Sequence, residues 1–389
     1  MTMIPYSTQD VGEAELEAVR AVLASGWLTQ GPAVPDFEER MARLHDTAHA
    51  VAVSSATAAL HLACLALGAA PGKRVWTSPN SFVASANCAL YCGAEVDFVD
   101  IDARTRNLSI AALRSKLRAA EPDELPHIVI PVDFSGLPCD YVPLRALADQ
   151  YGFRILADSS HAVGARYQDA PVGARFADAT VFSFHPVKIV TTAEGGMVLT
   201  QDPHLAERLR LLRSHGITRE PGEFLLPADG PWYYEQQSLG YNYRMTDISA
   251  ALGSAQLQRL DELKRRRLAL SRRYDQLLAG LPLICPCELP DRESSLHLYV
   301  IEIDADRCQR SRAQVYSQLR SAGIGCNVHY IPIHLQPFYR ALGFKPGDFP
   351  VAERYYARAL SIPLYPAMSH AQQDRVVEAL TSALGAAGT

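Results

Sequence analysis

A lysine follows a predicted buried strand near the middle of the chain. Residues 179–184 are mostly apolar, β-branched or aromatic, and Pro186 ends the run, so Lys188 lies just beyond a short buried strand. Ligands of open α/β sheets bind beyond the carboxyl ends of strands. Burial at such a place lowers the pKa of a lysine, so that its amine can attack a carbonyl group. The segment alone is also compatible with an ordinary exposed lysine, which is the commoner situation.

An aspartate follows a second predicted strand about 30 residues earlier, a separation typical of one helical crossover between parallel strands. Residues 153–157 form that strand, and Asp158 comes directly after it. An aspartate and a lysine at neighbouring strand ends fit pyridoxal phosphate (PLP), because a lysine holds this cofactor covalently and an aspartate pairs with its protonated ring nitrogen. We therefore predict that Asp158 and Lys188 share one PLP site.

A third strand end offers backbone donors for a phosphate. Residues 50–53 form a predicted strand that turns into a helix over 57–67 through small and hydroxyl-bearing residues. The free N–H groups and the dipole of a helix N-terminus favour a phosphate, although Ser and Thr are also common helix caps. In a PLP enzyme this turn is the expected phosphate site, with Ala56 and Thr57 as the contacts.

Four motifs resemble the DegT/StrS family of nucleotide-sugar aminotransferases. They are Asp158-Ser-Ser-His161-Ala, Phe182-Ser-Phe-His185 with Lys188, Glu194-Gly-Gly and Gly240-Tyr-Asn242-Tyr-Arg244-Met. The resemblance covers nearly the whole chain, from Tyr6 to about Pro366. It implies the type I PLP-dependent aminotransferase fold, an α/β architecture with a mostly parallel central sheet in a large domain and a smaller C-terminal α/β domain.

The resemblance also implies an activity, the PLP-dependent transfer of an amino group from L-glutamate to a keto group of a nucleotide sugar with ping-pong kinetics. The Ser-Ser-His sequence after Asp158 and the Phe-Ser-Phe-His run are most similar to members that aminate C4 of a UDP-linked 4-keto-6-deoxy-N-acetylhexosamine in pseudaminic acid biosynthesis. We therefore expect a UDP-sugar and L-glutamate as the small-molecule partners.

The resemblance assigns roles to individual residues. The catalytic residues are Lys188, Asp158 and His161. The cofactor-binding residues are these three together with Ala56, Thr57, Phe82, Ser183 and Asn242. The substrate-binding residues are Tyr6, Gly26, Trp27, Leu28, Thr29, Val328, His329, Tyr330 and Ile331. His161 is expected to hydrogen-bond near the cofactor O3′ or to Asp158. Without the resemblance, Phe82 is best interpreted as a core residue, and the loop around Trp27 is equally compatible with a plain helix exit.

The resemblance implies an obligate homodimer whose active site lies at the subunit interface. In the family, the asparagine that matches Asn242 reaches across this interface to the cofactor phosphate of the other subunit. The residues alone indicate only a polar turn capped by Thr246 or Asp247.

Three other functions are compatible with parts of the pattern. A PLP-dependent sugar dehydratase is similar but carries a histidine in place of the lysine, so Lys188 counts against it even though His185 lies close by. An aminotransferase for another 3-keto or 4-keto sugar is the strongest alternative, because small changes in a pocket alter which sugar fits. A non-catalytic protein that binds PLP or a sugar nucleotide is the third, and retained cofactor binding without turnover would favour it.

The composition is that of an ordinary globular protein of 389 residues, with 48% apolar and 20% charged residues. The net charge of -5, without any stretch that combines basic and aromatic residues, argues against nucleic-acid binding. Residues 47–72 contain no Asp, Glu, Lys or Arg, yet their hydroxyl groups favour a buried strand and helix over a membrane span. The 8 cysteines form no C-x-x-C pair and have no histidine at zinc-finger spacing, which indicates reduced thiols, a cytoplasmic location and no metal site.

The chain divides into two predicted domains. Residues 1–246 form the large PLP-binding domain with an N-terminal arm, and residues 247–389 form a linking long helix, at 247–279, and the small C-terminal domain. Strands that alternate with helical segments predict a mostly parallel sheet in the large domain. Residues 220–237 lack periodicity and predict a long loop.

Overall fold

A computed structural model describes residues 3–173 and 175–385 of the chain. The extreme ends of the two predicted domains, at residues 1–2 and 386–389, lie outside the described residues. The strands are β1 (His49–Val53), β2 (Arg74–Thr77), β3 (Glu95–Phe98), β4 (Ile128–Ile130), β5 (Arg154–Asp158), β6 (Arg166–Tyr167), β7 (Ala170–Pro171), β8 (Ala179–Ser183), β9 (Gly196–Thr200), β10 (Ile217–Thr218), β11 (Glu235–Gln236), β12 (Leu283–Ile284), β13 (Arg292–Glu293), β14 (Tyr299–Ile303) and β15 (Ala359–Ile362). The α-helices are α1 (Glu13–Ala24), α2 (Ala33–Leu44), α3 (Ala56–Ala66), α4 (Ala84–Tyr91), α5 (Ile110–Ala119), α6 (Tyr141–Tyr151), α7 (Pro203–Arg213), α8 (Asp247–Gln258), α9 (Leu260–Leu277), α10 (Ala305–Cys308), α11 (Arg312–Ser321), α12 (Pro337–Ala341), α13 (Pro350–Arg358) and α14 (His370–Ala383).

The large body is built on a seven-stranded sheet in the order β1-β9-β8-β5-β4-β2-β3. Among the strands described in this sheet, β9 alone runs antiparallel to its neighbours, and the other pairings are parallel. Successive side chains of a strand point to opposite faces, so Val181 packs in the cluster with α3, α4 and α7, whereas Phe182 packs in the cluster with α2 and α8. The prediction of a mostly parallel α/β sheet is confirmed.

The uncharged stretch at residues 47–72 forms the predicted strand and helix. It contains β1 and α3, and the hydroxyl oxygen of Ser55 caps α3 by accepting a hydrogen bond from the Ala58 N–H at 3.1 Å. Both elements are buried almost throughout, which explains the absence of charge. None of the helices in the described parts of the chain is long and apolar enough to cross a membrane.

The connection between β5 and β8 differs from the predicted helical crossover. The two strands are parallel neighbours, as predicted. However, the described residues between them form no helix and instead contain the antiparallel pair β6 and β7. This pair is extended by β13 from residues 292–293, more than a hundred positions further along the chain. A partner so distant in sequence cannot be read from the local pattern.

The predicted long helix after residue 246 is two helices, α8 and α9, which meet at Arg259. The Arg259 guanidinium forms ion pairs with Asp10 at 3.0 Å and with the fully buried Glu15 at 3.1 Å. These contacts with the N-terminal region stabilise the break between α8 and α9. Helix α8 packs on α1 and α2 of the large body, whereas α9 contributes Leu270 and Tyr274 to the core of the small body. The domain boundary itself stays a prediction.

The small body contains the antiparallel sheet β12-β14-β15, packed against α9, α11 and α14. The N-terminal arm joins it, because the Ile4 N–H donates to the Gly323 carbonyl oxygen at 2.9 Å and the Leu364 N–H donates to the Tyr6 carbonyl oxygen at 3.0 Å. The arm therefore brings Tyr6 to the junction between the two bodies.

Residues 220–237 are mostly loop, as predicted, with a short 3₁₀ turn and strand β11 paired to β10. The Glu235 carboxylate organises this loop by accepting hydrogen bonds from the Leu225 and Leu226 N–H groups, both at 2.7 Å, and from the Tyr233 hydroxyl at 2.9 Å. The side chains of Leu225 and Leu226 nevertheless remain 77% and 66% exposed.

Candidate active site

A cavity of about 480 Å³ opens at the carboxyl ends of β5 and β8. Most of the predicted site residues line it, namely Tyr6, Ala56, Thr57, Phe82, Asp158, His161, Ser183, Lys188, Val328, His329 and Tyr330. They come from the N-terminal arm, the strand ends of the large sheet and the segment at 327–330, so the cavity lies where the two bodies meet. A larger cavity, of about 650 Å³, lies against α9 and contains none of these residues.

Lys188 lies on the turn that follows β8, with its side chain partly buried in the cavity wall. Its backbone N–H donates to the His185 carbonyl oxygen at 2.9 Å, and the Ser7 hydroxyl donates to the Val187 carbonyl oxygen at 3.2 Å. Burial lowers the pKa of Lys188 from 10.5 to about 8, against the opposing effect of the Asp158 carboxylate. A larger share of the amine is therefore unprotonated, and nucleophilic, near neutral pH than in an ordinary lysine.

Asp158 is the last residue of β5, and its buried carboxylate is surrounded by hydroxyl donors. Oδ2 accepts from the Ser85 hydroxyl at 2.6 Å, and Oδ1 accepts from the Ser160 hydroxyl at 2.5 Å and from the Ser160 N–H at 3.2 Å. Both carboxylate oxygens are therefore engaged by hydrogen bonds that fix the orientation of the Asp158 side chain. Serines, and not His161, thus make these hydrogen bonds to Asp158, whereas the predicted contact of His161 near the cofactor O3′ stays a prediction.

His161 is a neutral imidazole of defined tautomer. Its Nδ1 accepts from the Ser135 backbone N–H at 3.1 Å, so the ring proton resides on Nε2, which lies 3.2 Å from the Tyr330 hydroxyl. Burial, assisted by the positive charge of Lys188 and by His329, lowers the pKa of His161 well below its ordinary value. His161 therefore presents an N–H donor, rather than a cation, at the cavity wall.

The N-terminus of α3 forms the end of the cavity near Ser183. Residues Ala56 and Thr57 begin the helix, and N–H groups of a first turn have no acceptor within their own helix. Gly196 of β9 allows this turn to lie against the sheet, because a Cβ atom there would lie 2.5 Å from the Ala56 nitrogen and from the Ser55 carbonyl group. The close approach requires glycine and fixes the position of the N–H groups.

The remaining wall carries aromatic rings from separate segments. Phe82 follows β2 and is 59% exposed, and its ring centroid lies 6.4 Å from that of Tyr330. The Tyr6 ring lies 5.6 Å from His329, whose Nδ1 is hydrogen-bonded to the Ser361 hydroxyl at 2.7 Å. Burial lowers the pKa of His329 to about 3, so this ring is also neutral.

Six predicted site residues are not part of the cavity lining in the described chain, namely Gly26, Trp27, Leu28, Thr29, Asn242 and Ile331. Trp27 and Leu28 are 58% and 47% exposed on the loop between α1 and α2. Asn242 forms a backbone bridge with Ser214, just after α7. The roles of these residues stay predictions.

Sequence reasoning missed the residues that hold Asp158 and His161, which are Ser85, Ser160, Ser135 and His297. Ser160 lies within the motif after Asp158 and could have been proposed from it. Ser135 acts through its backbone N–H, and His297 is a buried ring 4.4 Å from the His161 ring, contacts that leave no local signal in the sequence.

These features fit PLP. The cavity offers an amine of lowered pKa, a buried carboxylate held by hydroxyl donors, a helix N-terminus suited to a phosphate and an exposed phenyl ring. Within the described parts of the chain, no group of three or more His, Cys, Asp or Glu side chains is placed to hold a metal ion. Fold and site together define a PLP-dependent aminotransferase.

Comparison with known proteins agrees with this class. The chain belongs to the DegT/DnrJ/EryC1/StrS aminotransferase family, whose model matches residues 9–381. The spore coat polysaccharide biosynthesis protein SpsC of Bacillus subtilis is 40% identical over 380 residues, which are 97% of this chain and 96% of SpsC.

Solved structures agree as well. The sugar aminotransferase Spr1654 of Streptococcus pneumoniae, in its PLP form, has a TM-score of 0.90 and 31% identity over 98% of this chain and 99% of its own. Helicobacter pylori PseC, an aminotransferase of pseudaminic acid biosynthesis, has a TM-score of 0.90 and 30% identity over 99% of this chain and 100% of its own. The predicted type I fold and the PLP cofactor are confirmed.

Proposed function

We propose that the protein transfers an amino group from L-glutamate to C4 of a UDP-linked 4-keto-6-deoxy-N-acetylhexosamine, with Lys188 moving the proton. This is the reaction of the UDP-4-amino-4,6-dideoxy-N-acetyl-β-L-altrosamine transaminase of pseudaminic acid biosynthesis. The observation that carries the amino-transfer chemistry is the single cavity that holds Lys188, Asp158 and the N-terminus of α3. The choice of sugar is supported by the similarity to PseC.

The chemistry follows from the protonation states of the cavity. PLP supplies an electron-accepting ring that stabilises negative charge at the Cα atom of the amino donor. With PLP bound, the Lys188 amine, with a pKa of about 8, could take the proton from that Cα and deliver it to the cofactor C4′ atom, because both of its forms are populated near neutral pH. Asp158 would keep the ring nitrogen of bound PLP protonated, and the His161 Nε2–H offers a neutral donor at the cavity wall.

A second candidate function is amination of another 3-keto or 4-keto nucleotide sugar. The observation in its favour is the 40% identity to SpsC, a protein of spore coat polysaccharide biosynthesis. The cavity residues that carry the chemistry do not distinguish the two, whereas residues of the segment at 328–331 and the loop at 26–29 are the proposed sugar contacts. A sugar panel therefore separates the candidates.

The dehydratase and the non-catalytic binder receive less support. At the position that the family resemblance assigns to the residue holding the cofactor, this chain has Lys188 and not a histidine, and the lowered pKa of its amine suits covalent chemistry. His185 is exposed at the start of the same turn, although it also reaches the cavity edge. A protein that only binds PLP would not need an amine poised between its two protonation states.

We further propose a homodimer in which the loop at 26–29 and Asn242 serve the site of the other subunit. The support is a set of exposed apolar side chains near these segments in sequence, which monomers rarely expose in groups. They are Trp27, Leu28, Leu225, Leu226, Trp232, Tyr234 and Leu239. A holoenzyme that sediments as a monomer at catalytic concentration and still transfers amino groups would contradict this arrangement.

The proposed function is tested by incubating the holoenzyme with L-glutamate and a panel of keto nucleotide sugars, followed by mass spectrometry. We expect the mass of the amino sugar from the UDP-linked 4-keto-6-deoxy-N-acetylhexosamine, and no product from Lys188→Ala. Preferred amination of a 3-keto sugar would establish the second candidate instead. Product formation by Lys188→Ala would remove the catalytic assignment.

A further inference from the structure

Two buried serines connect Asp158 to the segment that carries Phe82. Ser85, in the first turn of α4, is fully buried and donates its hydroxyl to Asp158 Oδ2 at 2.6 Å. The Ser81 hydroxyl lies 2.7 Å from the Ser85 hydroxyl and is 4% exposed. Ser81 and Ser85 were not among the predicted site residues.

The donor and acceptor in each of these two hydrogen bonds follow from counting the hydroxyl hydrogens. A carboxylate has none to give, so the single hydroxyl hydrogen of Ser85 points to Asp158. Ser81 must then donate to Ser85. Two hydroxyl dipoles are therefore aligned toward the carboxylate, and each strengthens the next.

The same helix start also fixes the backbone of Phe82. The Ser85 N–H donates to the Phe82 carbonyl oxygen at 3.2 Å, and Ser81 directly precedes Phe82 in the sequence. The Phe82 ring is 59% exposed, so side-chain packing does little to hold it. Its position depends on the backbone that Ser81 and Ser85 anchor.

We propose that Ser81 and Ser85 are positioning residues, which hold the Asp158 carboxylate for the ring nitrogen of the cofactor and tie it to Phe82. This inference rests on the cofactor site described above. It requires no contact between either serine and the cofactor, because both act through Asp158 or through the backbone of Phe82.

The test is the dissociation constant of PLP from the apoprotein, measured by fluorescence quenching. A hydrogen bond to a charged group that is lost corresponds to a roughly tenfold or greater loss of affinity, so we expect Ser85→Ala to weaken PLP binding at least tenfold. Ser81→Ala removes a neutral bond further away and should weaken binding about threefold. Ser254→Ala is the matched control, because Ser254 donates to the Asp36 carboxylate at 2.9 Å away from the cavity.

A double-mutant cycle distinguishes positioning from general damage to the fold. If Ser85 acts through Asp158, Ser85→Ala should change the PLP affinity by less than about twofold in the Asp158→Ala background. A tenfold effect that persists there, or a wild-type affinity in Ser85→Ala, would overturn the proposal. If Ser85→Ala is insoluble, the same cycle with Ser81→Ala decides, with about threefold expected in the wild-type background alone.

The control for the underlying cofactor site is the wild-type protein. If it binds no PLP, the cofactor assignment fails. If it binds PLP and the serine variants bind equally well, the positioning role alone fails. The two failures therefore have different signatures.

Discussion

Substituting Gly196 by alanine should weaken cofactor binding without touching any side chain of the cavity. The added Cβ would lie 2.5 Å from three backbone atoms, the Ala56 nitrogen and the Ser55 carbonyl carbon and oxygen. No rotamer change can relieve backbone contacts, so the start of α3 must move by about 0.9 Å to restore an ordinary 3.4 Å separation. Overpacking of this kind costs about 1–3 kcal/mol.

The same displacement affects the proposed phosphate contacts. Moving an N–H donor by about 0.9 Å stretches a hydrogen bond of about 2.9 Å beyond useful length. Loss of one or two charge-assisted bonds corresponds to roughly 10- to 100-fold weaker PLP binding.

The assay is PLP titration of the apoprotein together with thermal unfolding. Gly222→Ala is the matched control, because a Cβ atom there meets nothing within 4 Å and its backbone is not in the left-handed region. A Gly196→Ala variant that binds PLP as tightly as Gly222→Ala would refute the argument that this glycine sets the helix start.

Two further predictions concern charge. The pKa of Lys188 falls from 10.5 to about 8 on folding. Burying the charged amine therefore lowers the free energy of unfolding of the apoprotein below pH 8, and this destabilisation shrinks as the pH rises to 10.5. Lys188→Met should therefore raise the apoprotein melting temperature at pH 7, and this gain should be gone above about pH 10.5. Lys73→Met, at an exposed lysine, should leave the melting temperature unchanged. An equal gain in melting temperature at every pH for Lys188→Met would contradict the link between the Lys188 pKa and stability. Glu302 accepts two bonds from the buried Arg106, at 3.0 and 2.8 Å, so Glu302→Gln should lower the unfolding free energy in urea by about 3–5 kcal/mol. Glu13→Gln, at an exposed glutamate, should leave the unfolding free energy almost unchanged. An equally small change for Glu302→Gln would show that the buried Arg106–Glu302 pair does not stabilise the folded protein.

The placement of Asp158 and Lys188 in one cavity could be predicted from the sequence because both residues lie at strand ends. Asp158 directly follows one apolar run, Lys188 lies on the turn beyond a second one, and parallel neighbours bring such ends together. The hydroxyl-rich turn before α3 was also recognisable, because cap residues and an apolar helix leave a local pattern.

Other features could not be predicted because their causes are distant in sequence. No Gly or Pro at Arg259 signals the break between α8 and α9, which depends on ion pairs of Arg259 with Asp10 and Glu15. The hairpin between β5 and β8 depends on β13. Ser85 lies 73 positions from Asp158, so its hydrogen bond appears only when α4 is folded against β5.

The central claim, that Lys188 makes this protein an aminotransferase, is tested most directly by the visible absorbance of the PLP-loaded protein before and after L-glutamate is added. We predict a yellow protein whose band bleaches with L-glutamate and returns when a 4-keto UDP-sugar follows. Lys188→Ala should show neither change. A wild-type protein that stays colourless with added PLP, or a Lys188→Ala variant that bleaches and recovers as the wild type does, would contradict the account.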